Sequence, residues 1–202
     1  LSLLLAAWIV VTSALNIVQR VRATSGGLPA SFLGMHLAHF GVAVFVVGVA
    51  IVNGYEQEKD VKMEVGDTVA LAGYTFKFNG IRQERGPNYT ALVGDLDLIR
   101  NGRSERKLLP EKRAYPTSSM PMTEAAIDTS PVRDVYVSLG EPIDKDRPDA
   151  AWAVRVYHKP FVVWIWGGCV IMALGGALAM SDRRYRIRRA VKTQEAKERN
   201  ER

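Results

Sequence analysis

The stretch FLGMHLAHFGVAVFVVGVAIVNGYEQEKDVKMEV, residues 32–65, decides the architecture. From Phe32 to Val52 it carries no Asp, Glu, Lys or Arg. Asn53-Gly54 then breaks the run, and Glu56, Glu58, Lys59, Asp60, Lys62 and Glu64 follow almost at once. A bilayer core is crossed by about 20 apolar residues rising 1.5 Å each, so the first part reads as a spanning helix. The alternation Val61-Lys62-Met63-Glu64-Val65 reads as the first strand of a water-facing domain.

Working outward, two further charge-poor runs of spanning length flank this one. The expected division is a transmembrane helix over 1–18, a cytoplasmic loop over 19–31, a second helix over 32–53, a β domain over 54–158, a third helix over 159–180 and a basic cytoplasmic tail over 181–202. The fold class is therefore an integral membrane α + β protein, with three transmembrane helices and a mostly antiparallel β extracytoplasmic domain between the last two. The first run opens on Leu1 without an initiator Met, a basic n-region or a small-residue cleavage site, which argues against a signal peptide. It is expected to be a truncated span, as in a C-terminal piece of a longer protein.

Net charge is +6, but the excess lies outside the domain. Residues 54–158 hold 15 Lys and Arg against 17 Asp and Glu. A nucleic-acid-binding domain would be basic with interleaved aromatics, so that class is excluded. Arg20 and Arg22 after the first span, and the Arg183-Arg184-Tyr185-Arg186-Ile187-Arg188-Arg189 run after the last, follow the positive-inside rule. Both then face the cytoplasm, and the domain lies on the other side.

Within the domain, short alternating runs are separated by turn residues. Tyr74–Phe78 by number (74–78), 89–99, 132–139 and 151–157 read as strands, with turns expected at Gly66-Asp67, Asn79-Gly80 and Asn101-Gly102. No sustained 3.6-residue period appears, which predicts a small antiparallel sandwich or barrel. Residues 122–127 fit one helical turn or an extended segment equally well. The single cysteine, Cys169, lies in the last span and forms neither a CxxC pair nor an intrachain disulfide. No nucleophile elbow, phosphate loop or HExxH run occurs. Asn88-Tyr89-Thr90 matches a glycosylation acceptor only as a three-residue pattern.

The chain has three histidines, His36, His39 and His158. An ionisable residue inside a span is costly and points to function. His36 and His39 are three apart and share a helix face with Ala43, Val46 and Ala50, small or short side chains that leave room for a flat cofactor or another helix. Imidazole is a common axial ligand of haem iron. The alternatives are interfacial hydration for His36 and helix-packing hydrogen bonds for His39, and the residues alone do not choose. Two histidines on one face cannot ligate one iron from opposite sides, and His158 lies about 30 Å away across the hydrocarbon core. Any second ligand must come from outside this chain. His158, beside Lys159-Pro160 and near Trp164 and Trp166, reads as an interfacial anchor.

The stretch Gly34-Met35-His36-Leu37-Ala38-His39-Phe40-Gly41-Val42-Ala43-Val44 resembles the late spanning helix of the cytochrome c maturation protein F (CcmF, haem lyase subunit) family. The resemblance continues through 53–61, 86–89, 111–113, 122–128, 133–136 and 152–161, several blocks in order over most of the chain. It implies a bacterial inner-membrane, multi-pass protein with a periplasmic β domain and a cytoplasmic C-terminus, which helps attach haem to apocytochrome c. Implied partners are the haem chaperone of the pathway, apocytochrome c and the companion thiol-handling, apocytochrome-presenting subunits. The family holds a membrane haem b between two histidines on different helices, and His39 falls on the second of these positions; His36 does not. The family's Trp-rich segment and its other histidines are not in this chain, so a catalytically complete lyase is not expected from it alone. The competing expectation is a cofactor-free membrane scaffold whose outer domain binds assembly partners.

Overall fold

The computed structural model of the chain describes residues 1–23, 27–118, 120–144 and 151–182. The basic run at 183–189 and the rest of the tail lie outside them. Three helices, α1 (Ser2–Ala23), α2 (Ala30–Tyr55) and α3 (Val162–Met180), are each long and apolar enough to cross a membrane. Between α2 and α3 in sequence come ten strands: β1 (Gln57–Glu64), β2 (Thr68–Leu71), β3 (Tyr74–Arg85), β4 (Thr90–Arg100), β5 (Arg103–Leu108), β6 (Glu111–Ala114), β7 (Met122–Glu124), β8 (Ala126–Thr129), β9 (Arg133–Pro142) and β10 (Ala151–Pro160). Two compact units result, one of helices (1–51 with 162 onward) and one of strands (52–161).

In the helical unit, α2 and α3 touch backbone to backbone. Glycines recur every seventh residue on each, at Gly34, Gly41 and Gly48 on α2 and at Gly168 and Gly175 on α3. A Cβ added at Gly41 would lie 2.6 Å from the Met172 amide nitrogen and 2.8 Å from the Gly168 carbonyl oxygen. One added at Gly168 would lie 2.6 Å from the Phe45 amide nitrogen. Small residues allow this approach where helices gain little from hydrophobic association. Seven-residue spacing keeps the seam on one side of each helix, since two turns cover nearly that many residues. At one end of the seam the Asp182 carboxylate accepts a 3.0 Å hydrogen bond from the Ser31 amide, satisfying a donor of the first turn of α2.

The strand unit is a two-sheet sandwich, antiparallel throughout. One sheet has the order β1-β10-β9-β8; the other runs β2-β3-β4-β6-β7, with β5 also paired to β4. The inward positions alternate as a period of two requires: Tyr74, Phe76 and Phe78 on β3, Leu96 and Leu98 on β4, Val135, Val137 and Leu139 on β9, and Trp152, Val154 and Val156 on β10. Burying each large side chain contributes about 1.5–3 kcal/mol, which sets the register of every long strand. The first and last strands pair, placing Gln57 opposite His158.

Asn101-Gly102 forms the expected hairpin, both residues taking positive φ. Asn79-Gly80 does not turn the chain. It lies within β3, where the register against β4 shifts between Phe78 and Gly80, and Gly80 has φ of 125°. The reason lies on either side: Phe78 and Ile81 both pack on the core, so the strand continues and absorbs the extra residue as a bulge. Residues 122–127 are extended, as β7 in one sheet and the start of β8 in the other. Charged or short segments such as β2, β5 and β6 form strands without a clear sequence signal because β3 and β4 supply their hydrogen-bonding partners.

A polar cluster ties the two sheets together. The Arg133 Nε of β9 donates to the Tyr74 hydroxyl of β3 at 2.9 Å, and its Nη1 reaches the Asp128 carboxylate, which also pairs with Arg106 at 2.8 Å. The His158 ring stacks at 6.3 Å from the Tyr74 ring, and its buried Nδ1 finds no protein partner. Burial, and after it the neighbouring Arg133 guanidinium, push the His158 imidazole below its ordinary range.

Two outcomes are expected. Gly41→Ala should destabilise the detergent-solubilised full-length protein by about 1–3 kcal/mol, because its methyl meets backbone, whereas Gly176→Ala, which faces open space, should leave the thermal midpoint unchanged. In the strand unit, the unfolded chain takes up the His158 proton near the ordinary value of 6.5 while the folded chain resists it. Stability is therefore complete above about pH 6.5 and falls as the pH drops below it. Urea titrations of residues 52–161 from pH 7.5 to 5 should show this loss, and His158→Phe should reduce it.

Candidate functional site

The helix α2 carries both span histidines, and the structure gives them different surroundings. Three residues correspond to about 300° of turn, so the two side chains leave the helix some 60° apart. His39 points away from the glycine seam and is exposed. Its Nδ1 lies 2.7 Å from the Met35 carbonyl oxygen, one turn back. A carbonyl only accepts, so Nδ1 carries a hydrogen in this bond. That bond also holds the ring in place. The product is an oriented imidazole with Nδ1 engaged, so Nε2 is the nitrogen left to meet a metal.

His36 is only 7% exposed. It is enclosed between α1 and α2, with the Phe32 ring edge-on at 4.4 Å, and neither ring nitrogen has a hydrogen-bond partner. The expectation of a hydrated interfacial histidine is thus replaced by a buried one, because the side chains of α1 close over it. The expected shared face is likewise divided: Ala43 is buried beneath α1, while His39 and Met35 remain open. Close helix approach occurs along the glycines, on a different side from His39. The sequence signal for it was present as the seven-residue glycine spacing on two separate helices.

Among the described residues no group of three or more His, Cys, Asp or Glu side chains is gathered to hold a metal ion. His39 can supply one ligand to an iron whose other axial side is met elsewhere. The exposed apolar side chain of Met35, with Val42 and Val46 along the same face, suits a flat macrocycle laid over the helix. The donor set and its surroundings therefore fit a haem held partly by this chain. His158 belongs to the strand unit, where its ring packs on Tyr74, and it is not gathered to the other two. The strand unit contains ion pairs such as Arg155 with Asp60 and Lys107 with Asp95, but no assembled catalytic constellation among the described residues.

The family model described as "CcmF C-terminal beta-sandwich" matches residues 54–160, more than half of the chain. The cytochrome c-type biogenesis protein CcmF of Pseudomonas aeruginosa is 44% identical over 198 residues, covering 96% of this chain and 30% of that protein. CcmF of Escherichia coli (strain K12) is 43% identical over 189 residues, covering 93% and 28% respectively. A solved structure titled "Cytochrome c Heme Lyase CcmF" superposes with a TM-score of 0.65 at 18% identity, over 75% of this chain and 25% of that one, and supports the fold. The chain spans just under a third of the length of these curated relatives. With its sandwich matched from end to end and its helices included in the longer alignments, the chain belongs to the CcmF family.

Proposed function

We propose that this chain is the C-terminal portion of a membrane haem lyase subunit for cytochrome c maturation, contributing one axial ligand to a membrane haem b and a periplasmic docking domain. The observation that carries the reading is the anchored His39 imidazole, with Nδ1–H on the Met35 carbonyl and Nε2 aimed outward from an apolar helix face. The membrane haem, when bound, supplies one-electron chemistry that keeps iron ferrous at the haem being delivered. His39 fixes the position of that haem and, by its basicity, tunes its potential. The glycine seam holds α2 against α3, so the ligand stands on a rigid element. The second axial histidine comes from outside this chain.

The helices cross the bacterial inner membrane, with Arg20, Arg22 and the C-terminal basic run in the cytoplasm and the sandwich in the periplasm. The boundaries follow the division into three spans, two cytoplasmic segments and one outer domain over 54–158. The sandwich has its own core and, among its described residues, no catalytic constellation, which suits a rigid docking surface for the haem chaperone, apocytochrome c and the thiol-handling subunits. Thioether formation itself belongs to the assembled protein, since this chain covers under a third of its relatives.

In the full-length protein purified from membranes, His39→Ala should abolish the bis-imidazole absorption spectrum, with free imidazole partly restoring it, while His36→Ala should keep it. A His39→Ala spectrum unchanged in position and intensity would sink the ligand assignment, and absence of porphyrin from the wild type would favour the cofactor-free scaffold.

A further inference from the structure

The cleft between α1 and α2 combines three features that the ligand reading of His39 does not use. First, it is a continuous apolar groove: a cavity of about 420 Å³ lined by Val10, Ile17, Leu33, Leu37 and Phe40 joins another of about 430 Å³ through Val10 and Phe40. The second runs on past Val44 and Val47 to Leu3. From Ile17 to Leu3 the groove follows α1 for about 20 Å at 1.5 Å per residue, longer than the ~15 Å of one leaflet's hydrocarbon. Second, His36 stands in its wall, 7% exposed, with both nitrogens unpartnered. Third, the end of α1 beyond Ile17 carries Arg20 and Arg22, and no acidic residue lies in α1 or in α2 up to Ile51. Arg20 rests 5.9 Å over the Phe32 ring, the same ring that covers His36.

These features lie in a line: cations at one end, a buried hydrogen-bonding group next, and an apolar channel below. We propose that the α1–α2 cleft seats one phospholipid with an anionic head group, its phosphate at Arg20, its glycerol-ester region hydrogen-bonded by His36, and one acyl chain along the groove. The inference rests on the reading of these helices as membrane spans. A buried imidazole without a partner is costly, and an apolar helix filling the same cleft would leave it so. A phospholipid satisfies it, because an ester carbonyl accepts from the imidazole N–H while the phosphate takes charge-assisted bonds from the Arg20 guanidinium. Arginine near a membrane surface attracts anionic lipid in any case; the buried His36 and the groove beside it convert that attraction into a site. Ser13, the other polar residue in the lining, adds a hydroxyl on the α1 side.

The test uses the full-length protein in nanodiscs of mixed phosphatidylglycerol and phosphatidylcholine, followed by detergent release and native mass spectrometry. The wild type should retain one phosphatidylglycerol in preference to phosphatidylcholine. His36→Ala and Arg20→Gln should each weaken retention by about tenfold, and His36→Gln, which keeps a donor, should restore most of it. Equal retention of both lipids, or retention unaffected by His36→Ala and Arg20→Gln, overturns the site. So does a Ser13→Cys thiol that stays shielded from a membrane-soluble maleimide after delipidation, because protein then fills the cleft. Absorption spectra of the same samples separate the two readings: an intact haem spectrum with no lipid preference overturns the lipid site alone. Release of the protein from membranes by alkaline carbonate overturns the spanning reading beneath it.

Discussion

Backbone contact between α2 and α3 is the constraint on which the helical unit depends. Gly34 and Gly41 face Gly175 and Gly168 at distances that admit no side chain between them, and Gly48 packs against Ile165. Once that side of α2 is committed to α3, the remaining sides are assigned. The side against α1 encloses His36 and Ala43, and the side turned away from the seam carries His39. A helix pair without this seam would be free to rotate, and a ligand carried on it would lose its direction. Lipid offers little hydrophobic drive to hold such a pair, so close van der Waals packing takes that role.

The sandwich achieves rigidity by other means. Its core is a complete layer of alternating aromatic and aliphatic side chains, and its sheets are joined across one end by Arg133, Asp128 and Tyr74. The Arg133 guanidinium is hydrogen-bonded on two sides and lies 4.8 Å over the Tyr74 ring, so a partly buried charge is well engaged. The domain's first and last strands are neighbours, which brings the chain in and out at adjacent positions. A domain with this construction serves as a surface of fixed shape, and its polar clusters read as structural.

The two span histidines show how position around one helix separates roles. Both are imidazoles within one turn, yet His39 has its tautomer set by the Met35 carbonyl and its other nitrogen open. His36 has neither nitrogen engaged and lies buried in the wall of the α1–α2 cleft. The first arrangement prepares a lone pair for a metal; the second leaves a hydrogen-bonding capacity directed into an apolar cleft. Their shared chemistry would not distinguish them without the helices packed around them.

Much of the plan was legible in residues 32–65 and the runs flanking them. Charge-free length marked the three helices long and apolar enough to cross a membrane, and period-two alternation marked the four long strands, because each of these is a local property of solvation or backbone geometry. Asn79-Gly80 misled because a turn-forming pair is overridden when both flanks must reach the core, and β2, β5 and β6 escaped notice because they are short or heavily charged and are held extended by hydrogen bonds to β3 and β4. By itself the sequence determined that His36 and His39 lie three residues apart in one long apolar helix. Only the tertiary structure decided which histidine is open and which is enclosed. That choice depends on where α1 and α3 press against α2, and the α3 contacts join residues more than a hundred positions apart.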